Sequence, residues 1–378
     1  MGAAGLRDLA RTVRLRAPSR AVPRAQGRGV MIGHVVYAHG SPCPTLVLDA
    51  RRLPGDDEQL LDRLSSARKW LDAAGAGHVL KIALVEPSPH PLFDLDYRFV
   101  QALPRSPAAF DLRGSCGHSV LSSIVAGAES GLLPRLTPGM RVRVMVRNNG
   151  DHIVCETAEA RRESALFDVH FVQSPPTPLS ELLLAGSATT TVEADGRPVP
   201  VSLVSMGNPY VFVAASALGL SSTAELFADD PRLFDRLVRI RRATARLLGW
   251  PADGAFPKVA AVMAGAGGRI AVRAVSVPGW HPTIALTGAA CVAAAVRIEG
   301  TAPWIAAQQA GVPDGTVDIV TSGGLSSVTS AVRDGVHEPE LTWITVRGKR
   351  TTTLGSFPIE PLASLQSKEI TACLSLSR

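Results

Sequence analysis

Two kinds of apolar spacing alternate along this chain. Residues 31–49 hold two short apolar runs, the first opening as "MIGHVVYAH", on either side of "HGSPCPT". One Gly and two Pro enforce a turn there. Over 56–74, Leu60, Leu61, Leu64 and Leu71 recur at the spacing of one helix face, which predicts a surface helix. "HVLKIALVEPS" follows, apolar and β-prone apart from Lys81, and predicts a strand. "VRVMVRNNGDHIVCETA" alternates around a polar Asn-Asn-Gly-Asp turn and predicts a hairpin. The Pro-rich "SPPTPLSE" (174–181) reads as a break. Beyond it the pattern restarts. "VSLVSMGNPYVFVAAS" predicts strand–turn–strand, and "FPKVAAVMA" another strand. Between them "DDPRLFDRLVRIRRATARLLGW" predicts an amphipathic helix opened by Asp and Pro.

Two further helical stretches are built almost entirely from small side chains: "LSSIVAGAESGLL" and "LTGAACVAAAVRIEGT", one in each half. Helices of small residues can be enclosed tightly by a sheet. The expected fold is therefore α+β: two pseudo-symmetric domains, each a mixed β-sheet or barrel around a central helix. The expected domains are 31–180, to which 355–378 returns, and 181–354. If both helices aim their N-termini at the interface, their free N–H groups form an anion-binding cleft there.

Bulk composition narrows the function. The chain has 378 residues, 46% hydrophobic and 19% charged, which suits a globular protein with more than one core. No run of about 18 apolar residues marks a transmembrane helix, so no membrane partner is expected. The net charge of +6 is local. Residues 1–30 hold seven Arg and one acid, which leaves 32 basic and 32 acidic residues in the rest. A neutral body argues against a phosphate-binding groove and a nucleic-acid partner. The basic leader, 1–30, reads as a dispensable arm, disordered or a targeting peptide, without the apolar core of a secretory signal. The five Cys (43, 116, 155, 291, 373) are odd in number and scattered. They show no metal-ligand spacing and fit reduced thiols in a cytoplasmic protein.

The densest chemistry lies in "RGSCGHSV" (113–120). Cys116 sits between glycines where a helix begins, and the helix dipole there favours a thiolate or a bound carboxylate. It reads as a reactive thiol, a binding element or a small core residue. Lys81 is odd inside an apolar strand. An amine taken out of water gives up its proton more readily, and a neutral amine is a usable base. Its bland reading is a strand-end Lys whose ammonium reaches water.

"RGSCGHSVLSSIVAGAESGLL", with "DYRFVQ" just upstream, resembles the methylaconitate cis–trans isomerase (PrpF) family, whose version is closer to "SGNCGN" after "DYLFGQ". "SMGNPYVFV", "FPKVAAV", "HPTIALTGAACVAAAVRIEGT" and "KRTTTLGSFPI" continue the likeness, which runs over most of 31–365. The resemblance implies a diaminopimelate-epimerase-like fold. It also implies an isomerase that needs no cofactor and no metal and moves a proton and a double bond within an unsaturated carboxylate. Its base falls on Lys81, 35 residues before Cys116, which matches the motif thiol. Two-thiol racemases of this fold carry their second thiol at the position of Ala285; Cys291 lies later, inside the helix, and reads as core. Backbone N–H groups of Gly117–His118 and Thr287–Gly288 would hold a carboxylate or the developing oxyanion. Ser322 and Gly323 match a loop of the family, His281 matches a family His, and Asn208 is either a cleft residue or a turn residue.

Near the N-terminus the likeness weakens. Where the family reads "MRGGTSKG", this chain has "YAHGSPCPT": Arg becomes Ala38, Ser41 stands for Thr, and Cys43 is near the Lys position. His118 replaces an Asn. A less anionic substrate in a specialised biosynthetic pathway follows as one expectation. A cyclase or pericyclase-like enzyme using the cleft as a shaped pocket, or a non-catalytic binder, are the rivals. The expected partner is a small molecule, on a monomer or homodimer.

Overall fold

A computed structural model describes residues 31–276, 278–359 and 362. The leader 1–30, Cys373 and nearly all of the expected returning tail beyond residue 359 lie outside them. In chain order the strands are β1 (Ile32–Ala38), β2 (Thr45–Asp49), β3 (Lys81–Pro87), β4 (Leu95–Ala102), β5 (Phe110–Asp111), β6 (Arg141–Val146), β7 (His152–Ala160) and β8 (Ser164–Pro178). They continue with β9 (Thr190–Ala194), β10 (Arg197–Met206), β11 (Asn208–Ala214), β12 (Lys258–Gly265), β13 (Arg269–Val275), β14 (Thr316–Thr321), β15 (Gly324–Asp334) and β16 (Pro339–Pro358). The helices are α1 (Asp57–Ala73), α2 (Gly117–Ser130), α3 (Thr223–Phe227), α4 (Pro231–Leu247), α5 (Leu286–Ala295) and α6 (Ala302–Ala310).

One continuous sheet runs β1-β2-β3-β4-β6-β7-β8-β16-β15-β14-β13-β12-β11-β10-β9. Pairing of β1 with β16 closes the first eight of these strands into a barrel. The second half repeats the first. β2 pairs parallel with β3 and β4 with β6; in the same order β11 pairs parallel with β12 and β13 with β14. A surface helix, α1 or α4, joins the first parallel pair of each half, and the small-residue helix, α2 or α5, joins the second. The expected α+β duplication around two enclosed helices is what the chain forms.

Each helix follows from its sequence. Asp56 caps α1 through the amide of Gln59, and Leu60, Leu64 and Leu71 bury one face. Each such Leu contributes ~2 kcal/mol. Asp230 caps α4 ahead of Pro231, and Leu233, Leu237 and Ile240 face the core. α2 runs through the first barrel with its residues buried from Gly117 to Gly127. Polar residues survive there because the helix satisfies them itself: the Ser122 and Ser123 hydroxyls donate to the carbonyls of His118 and Ser119. α5 is buried along its whole length.

Two features depart from the sequence reading. The Pro-rich 174–181 stretch is not a simple break, since residues up to Pro178 belong to β8. Opposite β16 the register slips between Leu341 and Trp343, so that Thr177 pairs with Leu341 but Val172 with Trp343. Pro175 and Pro176 occupy the surplus, where no ladder N–H is needed. β16 spans 20 residues and serves both halves: its first part pairs with β15, its last with β1, and β8 runs alongside. Gly348, with φ of 66°, lies at the slip between Val346 and Lys349 that lets one strand bend from one half to the other.

Candidate active site

The two enclosed helices meet end to end. A Cβ added to Gly117 would lie 2.7 Å from Cβ of Leu286, so only glycine lets the two starts approach this closely. Cys116 and Ala285 occupy the N-cap positions of α2 and α5. Ala285 thus stands in the second half where Cys116 stands in the first. Asn208, the first residue of β11, ties the two starts together. Its Oδ1 accepts from the Ser115 amide at 2.8 Å, and its Nδ2 donates to the Ser115 carbonyl at 2.7 Å and to Thr287 Oγ1 at 2.9 Å. These bonds hold β11 against the starts of both helices. Gly288 lies beneath the Tyr210 hydroxyl, 2.4 Å from where its Cβ would be.

Around Cys116 the first half brings in Lys81 and Ser41. Lys81 starts β3, and its ammonium donates to Ser41 Oγ at 2.7 Å; Ser41 in turn donates to the Cys43 carbonyl. Lys81 is 5% exposed and Cys116 7%. Solvent barely reaches either side chain. One hydrogen bond joins the halves directly: Thr283 Oγ1 donates to the Gly40 carbonyl at 3.0 Å. Burial alone would push the Cys116 thiol up. The Lys81 charge and the Ser119 hydroxyl and amide outweigh it and leave the thiol below its ordinary value.

His118, the second residue of α2, stacks on His281 from the other half, with ring centroids 5.9 Å apart. Both rings are buried, and each keeps one nitrogen without a partner, Nδ1 of His118 and Nε2 of His281. The Thr283 amide donates to Nδ1 of His281, which places that ring's proton on Nε2. Burial holds both well below the ordinary histidine value, and Lys81 and Lys349 push the same way. Both are therefore neutral. Ser322 and Gly323 are exposed in the β14–β15 turn. A Cβ on Gly323 would run into the Pro282 carbonyl, and Arg273 donates to Ser322 Oγ. This turn borders the His281 segment without entering the Lys81–Cys116 cluster.

The structure adds two amines that sequence reading did not single out. Lys349, on β16, donates to Ser326 Oγ at 2.9 Å, and burial lowers its pKa. Lys258 starts β12 and places its ammonium 4.5 Å from the centre of the Phe256 ring. The signal for Lys258 was present: "KVAAV" opens β12 as "KIALV" opens β3. Cys291 is core, as expected. Its sulfur accepts from the Met206 amide and lies against the Met206 and Asn208 carbonyls, and burial pushes its pKa up to about 12. Among the described residues no three of His, Cys, Asp and Glu are gathered as a metal site, and no helix is long and apolar enough to cross a membrane.

Comparison with known proteins identifies the family and the fold. The profile of a family described as PrpF protein matches residues 47–355. The 3-methylitaconate isomerase of Eubacterium barkeri is 27% identical over 340 residues, covering 78% of this chain and 89% of the relative. The (4E)-oxalomesaconate Delta-isomerase of Novosphingobium sp. strain KA1 is 28% identical over 267 residues, covering 65% and 73%. A methylitaconate-delta-isomerase crystal structure superposes with TM-score 0.59 at 21% identity, over 88% of this chain and 96% of that one. A hydroxyproline epimerase from Agrobacterium vitis gives TM-score 0.58 at 16% identity, over 87% and 92%. These two structures establish the shared fold.

Proposed function

The chain belongs to the PrpF protein family, and from that premise we propose that it is an isomerase that moves a proton and a double bond within an unsaturated carboxylate. The observation that carries the reading is the buried pair of Lys81 and Cys116 at the N-cap of an enclosed helix. Lys81, as the free amine, takes the proton from the carbon next to the double bond. The charge spreads into a dienolate, whose oxygen accepts hydrogen bonds from backbone N–H groups at the start of α2 and from the neutral imidazoles. Protonation at the far carbon completes the shift. Such a reaction is redox-neutral and needs only proton carriers. Cys116, with its lowered pKa and the Lys81 charge beside it, shares protons with that amine.

The named relatives are isomerases, which favours proton transfer over the cyclase and pure-binder readings. The four described cysteines are free and buried, which suits a reduced, cytoplasmic setting. A small molecule is the partner we assign, on a monomer or homodimer. The test is incubation with 3-methylitaconate and related unsaturated acids in D₂O, followed by NMR. Deuterium should enter the product, and Lys81→Ala should abolish turnover. Turnover without deuterium, unaffected by Lys81→Ala, would overturn the reading.

A further inference from the structure

The duplication gives Lys81 an internal counterpart. In the first half β2 lies parallel to β3 with Thr45 opposite Lys81, the first residue of its strand. In the second half β11 lies parallel to β12 with Tyr210 opposite Lys258, again the first residue. Each strand follows a long surface helix, and each is followed by an antiparallel neighbour that leads to a buried helix. Lys258 is thus where Lys81 would be if the halves were exchanged. The two amines differ in their partners. Lys81 is held by Ser41, whereas among the described residues no hydrogen bond engages the Lys258 ammonium. It rests on Phe256, which fills the place of a side chain at Gly114: a Cβ there would lie 2.0 Å from the ring. Through the Phe256 ring, Lys258 therefore borders the Gly114 loop that leads into Cys116, the N-cap of α2.

We propose that Lys258 is the second proton-transfer group of the reaction, acting from the second half on one end of the allylic system while Lys81 acts on the other. The proposal rests on the isomerase reading. As the free amine, Lys81 accepts the C–H proton and becomes an ammonium, and the electron pair enters the dienolate. The Lys258 ammonium gives its proton to the far carbon and becomes a neutral amine, as the double bond takes its new position. Exchange with solvent restores both. No oxidant or reductant is involved. The surroundings suit a donor that works near neutrality. Burial first, then Lys81 and Arg241, lower the Lys258 pKa, Cys116 and Asp111 raise it, and it comes to about 8. Lys258 is then mostly protonated at pH 7, and a charged Lys81 disfavours the charge on Lys258.

Two experiments decide this. With 3-methylitaconate in D₂O, Lys258→Met should lower isomerisation by about 10²–10³-fold, while deuterium still washes into the substrate at the carbon that Lys81 deprotonates. Lys258→Arg, which keeps the charge, should hold KM and lose kcat. Lys81→Met should lose both exchange and isomerisation. Isomerisation kept within about threefold of wild type by Lys258→Met overturns the proposal, as does rescue by Arg. The second experiment needs no substrate. Acetic anhydride labelling of the wild-type protein across pH, read by mass spectrometry, should give Lys258 a midpoint near 8. A midpoint near the ordinary lysine value of about 10.4, or no labelling at any pH, overturns the assignment. If wild type acts on none of the acids offered, the isomerase reading fails, and the labelling result still stands or falls separately.

Discussion

The two halves share a scaffold and divide the chemistry unequally. The first half carries a thiol at its helix start, an amine fixed by a hydroxyl, and an imidazole two residues beyond the thiol: Cys116, Lys81 and His118. At the matching places the second half carries Ala285, the unfixed Lys258 and Thr287. Its own thiol, Cys291, lies inside the helix and bonds to backbone. A symmetric two-thiol arrangement suits inversion at one carbon, because the proton leaves and returns on opposite faces of the same atom. An asymmetric arrangement suits transfer between two different carbons, which need donors of different reach. On the proposed mechanism, the single helix-start thiol fits transfer between two carbons better than inversion at one.

The largest test of that contrast is Lys81. Lys81→Met removes the fixed amine and should lower turnover by up to about 10⁴-fold, with the fold retained as judged by thermal melting. If turnover survives, the first half is not the half that starts the reaction. Next is the seam itself. Gly114→Ala places a methyl group where the Phe256 ring already lies, and Phe256 is buried with nowhere to go. A loss of roughly 1–3 kcal/mol in unfolding free energy is expected, together with a changed Lys258 labelling midpoint. A fully stable Gly114→Ala would mean the ring is free to swing away.

A pH effect follows from the stacked imidazoles. His118 faces Lys81, Lys349 and His281; His281 faces Lys81, Lys258 and Lys349 as well as the Thr283 amide. Both folded-state pKa values lie below 6.5, so below that pH the unfolded chain binds more protons than the folded one. Stability should therefore fall as the pH drops through about 6.5, by roughly 1.4 kcal/mol per pH unit for each ring. His118→Asn should remove the share of one ring from the slope of a urea-midpoint series between pH 6.5 and 5. An unchanged slope would show that the rings are not held neutral. Activity of His118→Asn should fall less than that of Lys81→Met, since one of several oxyanion donors is lost.

How much of this was legible in the sequence depends on whether one segment was enough to reveal it. The helix starting at Gly117 announced itself through "GSCGHSV" and a run of small residues, and Lys81 through its apolar strand. Cys291 was readable as core because it falls mid-helix, away from the N-cap. Lys258 was not singled out, because a Lys at a strand start has an ordinary explanation until the halves are laid over each other. Lys349 lies in β16, whose 20 residues bend at Gly348 and change partners, so no single period describes the strand. The double duty of Asn208 was hidden for a related reason. Its partners Ser115 and Thr287 come from opposite halves, 93 and 79 residues away.

The smallest effect on catalysis is expected at the displaced thiol, and it is the most pointed check on the asymmetry. Cys291→Ala leaves the buried Met206 amide without its acceptor and opens a small void, at a cost of about 1–3 kcal/mol in stability. The sulfur touches backbone on both sides of Gly207, the turn that delivers Asn208 to the helix starts, so the Asn208 bridge should loosen slightly. Turnover by the folded variant should stay within about threefold of wild type, because the thiol sits inside α5 rather than at its N-cap and touches no reacting atom. A stable Cys291→Ala protein that has lost activity would place a working thiol in the second half after all. The two halves would then differ in where they keep their thiol, and no longer in whether they use one.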